Sequence, residues 1–122
     1  MEQITILDAV KGETTLLNLG SISITVVGGA DKVWFTAKKH KTDLDSAAAF
    51  QKGMNVPGLS GITLLTNPQI LQVTINPADI PVTLIDRALI FDMKIKQVST
   101  GVIDTVVSGV LYLVDAVNQT AA

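Results

Sequence analysis

Apolar residues recur at every second position along most of this chain, and that period constrains the fold more than any other feature. In "SISITVV", Ile22, Ile24 and Val26 share one face, with Ser21, Ser23 and Thr25 opposite. In "ILQVTIN", Leu71, Val73 and Ile75 alternate with Gln72 and Thr74. In "ALIFDMKIK", Leu89, Phe91, Met93 and Ile95 alternate with Ile90, Asp92, Lys94 and Lys96. In "GVLYLVD", Leu111 and Leu113 oppose Val110, Tyr112 and Val114. Successive side chains of a strand point to opposite faces, so this is the pattern of half-buried strands. β-Branched residues dominate the runs, as a pleated surface favours.

Turn residues separate the runs. Lys11-Gly12 divides a first strand near residues 3 to 8 from a second near 14 to 19. Gly28-Gly29, Asn67-Pro68, Asn76-Pro77-Ala78-Asp79 and Ser99-Thr100-Gly101 punctuate the rest. One segment reads differently. "TDLDSAAAFQKG" offers Asp43 or Asp45 as an N-cap, an Ala-rich body and Gly53 as a stop, which predicts a short helix near 43–52. With 122 residues, a single domain spanning 1–122 is expected. About seven to nine short strands with regular turns predict an all-β fold, an Ig-like antiparallel β-sandwich, with a small barrel second.

The stretch "VWFTAKKHK", residues 33–41, holds the only Trp and the only His beside three Lys. It invites a nucleic-acid reading, with an aromatic to stack on bases and cations to hold phosphate. Strand parity gives another: Val33, Phe35 and Ala37 face one way and Trp34 and Thr36 the other, which places Phe35 in the core. The net charge of −2 lacks the basic excess that phosphate neutralisation requires, and no second basic-aromatic strip extends a track. No nucleic-acid partner is expected.

Enzymatic chemistry finds no support either. There is no Cys, which excludes thiolate metal sites and cysteine nucleophiles. His40 lies between Lys39 and Lys41 in a polar turn, and neither Ser60 nor Ser108 has the G-x-S-x-G frame of an exposed nucleophile. Asp43 and Asp45 begin like a calcium loop, but Ser46-Ala47-Ala48 lacks its later ligands and its Gly. "VGGADK" lacks the spacing of a phosphate loop. The expectation is a non-enzyme with no catalytic residues, no metal and no cofactor. The longest apolar runs are broken by Ser108, Gly109 or Asp115, short of the roughly 20 residues a membrane helix needs. The N-terminus lacks the charged-then-apolar pattern of a signal peptide, so a chain made in the cytoplasm, with no membrane partner, is expected.

One balance is unusual. Hydrophobic residues make up 48% and charged residues 16%, where roughly 25% charged is typical. Either the domain is a neutral, Thr/Ser-rich β-domain, or some of its surface is covered by partners.

Taken in order, several segments carry a resemblance: "KGET" (11–14), "KVWFTAKK" (32–39), "DLDSAAAFQK" (43–52), "GI" (61–62), "VTINPAD" (73–79), "LIFDMKIK" (89–96) and "TGVIDTVVSGVLYLVDAVNQT" (100–120). Their order and spacing resemble the small Ig-like domain of tailed bacteriophages found at the N-terminus of the baseplate upper protein. Two departures bear on packing. Leu89 stands where an aromatic usually precedes Asp92, with Phe91 beside it, and the 21–27 run ends in Gly28-Gly29. The resemblance implies a structural component of the virion, an assembly or adaptor module of the tail or baseplate that positions receptor-binding proteins. A capsid decoration protein is the alternative, and a glycan- or host-surface-binding module a further one. Several exposed aromatics on one face would favour that last reading. The implied partners are other phage structural proteins and further copies of the chain in a symmetric assembly.

On the assembly reading, contact residues are apolar side chains on the solvent face and edges: Ile90, Trp34, Val27, Tyr112 and Leu59. The N-terminal strand, with Ile4 and Ile6, is expected to lie at a sheet edge, where it can pair with a neighbouring chain.

Overall fold

A computed structural model describes residues 3–20, 24–40, 48–66, 68–81, 83–85 and 87–114, with the side chains of 3–5 outside the description. Its eight strands are β1 (Gln3–Val10), β2 (Thr15–Leu19), β3 (Lys32–Lys38), β4 (Phe50–Met54), β5 (Ile62–Leu65), β6 (Ile70–Ile75), β7 (Ala88–Gln97) and β8 (Val102–Val114). They form a five-stranded sheet, β1-β8-β7-β3-β4, and a three-stranded sheet, β2-β6-β5.

The alternation in the sequence explains the layering. Leu89, Phe91, Met93 and Ile95 of β7 are buried, as are Val33, Phe35 and Ala37 of β3 and Leu111 and Leu113 of β8. Leu71, Val73 and Ile75 of β6 and Leu17 and Leu19 of β2 meet them from the other sheet. Phe35 is fully buried and stacks on Phe91 at 5.1 Å and on Phe50 at 6.1 Å. The expected turn at 99–101 joins β7 to β8, with Gly101 at a positive φ of 74° and its N–H donating to the Gln97 carbonyl (2.7 Å).

The structure corrects three expectations. First, the expected helix fails over 48–52. Phe50–Met54 is strand β4, paired with β3 through Phe35↔Lys52 and Ala37↔Phe50. The period-two signal is hidden there because Lys52 occupies an inward position. Residues 43–47, with Asp43 and Asp45, lie outside the described residues. Second, residues 24–27 form no strand, although Val26 is buried and Thr25 and Val27 are exposed as parity predicts. The Gln69 side chain takes the place of a neighbouring strand. Its Oε1 accepts from the Val26 N–H (2.8 Å) and its Nε2 donates to the Ile24 carbonyl (2.9 Å). Residues 21–23 lie outside the described residues. Third, the sandwich is not wholly antiparallel, because β1 runs parallel to β8 from Gln3↔Val107 to Val10↔Val114. An edge strand paired with the last strand of the chain meets no hairpin constraint on its direction.

Lys52 links the two sheets. Its ammonium lies 2.7 Å from the Asp79 carboxylate, and both side chains are largely buried. Asp79 Oδ2 also accepts from the Asn76 N–H (2.7 Å), which closes the turn after β6. Gly61 has φ +95°, and a Cβ there would stand 2.8 Å from Lys52 Cδ. Three separate segments, Gln51-Lys52, Gly61-Ile62 and Asn76–Asp79, therefore form one clamp.

At one end of the sandwich, the buried Asp31 carboxylate accepts from the N–H groups of Val27 and Val98 (3.0 Å each). This ties the turn before β3 to the β7–β8 hairpin.

Candidate functional site

The solvent face of the five-stranded sheet is built by the second parity of its strands. The register places Ile6 of β1, Val110 of β8, Ile90 of β7 and Lys38 of β3 in one row. The next row holds Asp8, Tyr112 and Ala88, and beyond it lie Val10 and Val114. Four of these side chains are exposed apolar groups: Ile6 at 67%, Ile90 at 39%, Tyr112 at 46% and Val114 at 44%. Scattered surface apolar residues are ordinary, whereas neighbours on adjacent strands form a patch of the kind that marks a contact surface.

On the other half of the same face, Ser108, Asp92, Thr36 and Gln51 form a row, followed by Thr105, Lys94 and Trp34. A β-bulge separates the two rows on β8. Met93 pairs with Val107 and Lys94 with Thr105, which leaves Val106 as the extra residue. The outer face of the three-stranded sheet is smaller and more polar, with Asn18, Thr63, Gln72 and Thr74 beside the exposed Leu16 and the paired Leu65 and Ile70. The apolar block of the five-stranded sheet extends over three adjacent strands.

The expected contact residues divide accordingly. Ile90, Tyr112 and Ile6 come together. Val110 and Val114 belong with them and were missed, though both share the outward parity of Tyr112 in the sequence. Ile4 stands beside Ser108 in the ladder, with its side chain outside the description. Trp34 lies on the same sheet face but on its far half, half-buried. Leu59 packs over Gly53, the residue paired with Trp34, and a Cβ at Gly53 would stand 2.7 Å from the Leu59 Cβ. That close approach requires glycine. Val27 is not part of this face. Its segment is bonded to Gln69, and the adjoining Gly28 lies against Leu64 of β5. The N-terminal strand does occupy a sheet edge, as β1.

His40 is exposed just beyond β3. Among the described residues, no group of three or more His, Cys, Asp or Glu is placed to hold a metal ion, and no helix is long and apolar enough to cross a membrane.

No protein-family model matches this chain, and no curated protein matches it. Among solved structures it is similar to the extracellular domain of the voltage-gated sodium channel beta4 subunit, with a TM-score of 0.52 and 12% identity over 96% of each chain. That domain is described as forming parallel homodimers that explain a role in cell–cell adhesion. At this identity the likeness speaks to architecture alone. Together with the two-sheet topology and the Phe-centred core between the sheets, it shows the fold of this chain to be an all-β, Ig-like β-sandwich.

Proposed function

We propose that this chain is a non-enzymatic structural component of a tailed-bacteriophage virion. It serves as an assembly module of the tail or baseplate that positions receptor-binding proteins. The observation that carries the assembly part is the apolar block of Ile6, Val110, Ile90, Tyr112 and Val114 on one sheet face. The phage context is carried by the ordered sequence elements and their resemblance to the baseplate upper protein domain. Support for those elements as one unit comes from the clamp, in which Lys52, Gly61 and Asp79 from three of them meet.

The apolar block spans three strands about 4.8 Å apart and about five residues of each at about 3.3 Å, roughly 240 Å², the scale of a compact contact patch. Repeated copies in a symmetric particle use such a face, and the homodimers described for the sodium channel beta4 domain are compatible with self-association of this fold. The low charge content agrees, because a subunit covered by neighbours needs fewer charges to stay in solution.

The substitution Ile90→Asp tests the reading. It places a charge at the centre of the apolar block while leaving the core side of β7 intact. Circular dichroism of the variant should show the native β-sandwich, and its incorporation into particles should fall at least about tenfold, the scale of one buried aliphatic side chain. Normal incorporation of a folded Ile90→Asp chain would refute the role given to this face.

A further inference from the structure

The half of the sheet face away from the apolar block carries a furrow. Trp34, Thr36, Gln51, Asp92, Lys94 and Ile103 line a groove of about 330 Å³. A second groove of about 480 Å³ adjoins it, shares Asp92 and Lys94, and runs past Thr105 and Ser108 to Ile90 and Val110 of the apolar block. Both volumes fall within the roughly 300–1,000 Å³ of small-ligand sites.

We infer that this furrow is a saccharide-binding site, in which a sugar ring stacks on Trp34 and its hydroxyls bond to Gln51 and the neighbouring polar groups. This goes beyond the assembly role and does not rest on it. A pyranose has a C–H face that needs an apolar plane and a rim of hydroxyls that needs both donors and acceptors. The furrow offers both together. Trp34 supplies the aromatic surface in the groove, and an indole combines a broad plane with a polar N–H. Gln51 Nε2 donates to Thr36 Oγ1 at 3.0 Å, which orients the amide so that its Oε1 is the acceptor presented by that side chain. The Thr36 hydroxyl, while accepting that bond, keeps a hydrogen to donate.

Charge narrows the ligand class. The groove is lined by one acid, Asp92, and one base, Lys94, so its formal charge balances and favours a neutral ligand over a phosphate.

Trp34 is the only tryptophan, so its fluorescence reports on this furrow alone. The folded chain, labelled through an appended terminal tag so that Lys94 stays unmodified, is first applied to an array of neutral di- to tetrasaccharides of hexoses and N-acetylhexosamines. Each retained sugar is then titrated while Trp34 emission is followed. The expected result is saturable binding of at least one oligosaccharide. Gln51→Ala, followed by the same emission, and Trp34→Ala, which has no tryptophan and is followed by its retention on the array, should each weaken binding about tenfold or more. Leu16→Ser, on the outer face of the other sheet, should bind like the parent. Gln51 lies on the edge strand β4, so its variant keeps the test valid even where Trp34→Ala fails to fold. Retention of no array sugar, or binding that both variants leave unchanged, would overturn the inference.

Discussion

Loss of the Asp79 carboxylate should destabilise this domain by several kcal/mol. In Asp79→Ala the Lys52 ammonium remains between the sheets, where its side chain is 10% exposed, 2.7 Å from an anion that is no longer there. Breaking one partner of a buried pair costs about 3–5 kcal/mol, and the 20% exposure of Asp79 puts this pair toward the lower end. The Asn76 N–H also loses its acceptor, for about 1 kcal/mol more. A total near 4 kcal/mol is a large share of the roughly 6–18 kcal/mol expected for a domain of this length. Replacing both partners by apolar groups, Lys52→Met with Asp79→Ala, removes the charges together and should recover most of the loss. The assay is urea unfolding followed by Trp34 fluorescence, with the four proteins of the double-mutant cycle compared at equal slope. A coupling of at least about 2 kcal/mol is expected. A loss below about 1 kcal/mol in Asp79→Ala, or strictly additive single effects, would refute the view that this pair clamps the sheets.

Other consequences are read in the same unfolding assay. Phe35→Ala removes a fully buried ring stacked on two others and should cost about 3–5 kcal/mol. Gly61→Ala puts a Cβ against Lys52 Cδ at a positive φ, and should cost about 1–3 kcal/mol. The loss should shrink when Lys52 is shortened to Ala in the same chain. Ile90→Asp, at an outward position, should change stability by less than about 1 kcal/mol, in contrast to its effect on assembly.

Legibility in the sequence followed the strength of the alternation. Over Leu71–Ile75 and Phe91–Ile95, apolar and polar residues alternate without a break, and the buried faces are those the parity predicts. The block at Ile90 and Tyr112 was legible for the same reason, because an apolar residue at an outward position of a strand is visible once the phase is known. The register that sets Ile6 beside it was not, since it depends on β1 pairing in parallel with a strand about a hundred positions later. Strand β4 was misread as helix because the Ala run before it has high helix propensity and Lys52 stands where an apolar residue would complete the period. Its partner Asp79 lies on a distant turn, and no local signal joins the two. The co-occurrence of Gln51-Lys52, Gly61-Ile62 and Asp79 was the one available hint. The 24–27 segment failed as a strand for a tertiary reason, since a glutamine side chain meets its backbone groups where a ladder would have done so.

The place of the protein in a particle is the central claim. Gold-labelled antibody against this chain, applied to purified particles from its source and imaged by electron microscopy, tests it most directly. Label concentrated at the tail tip is the predicted result. Label over the shell would move the module to capsid decoration while keeping its structural role. Particles without label, in a preparation where the chain itself is abundant, would contradict the virion assignment.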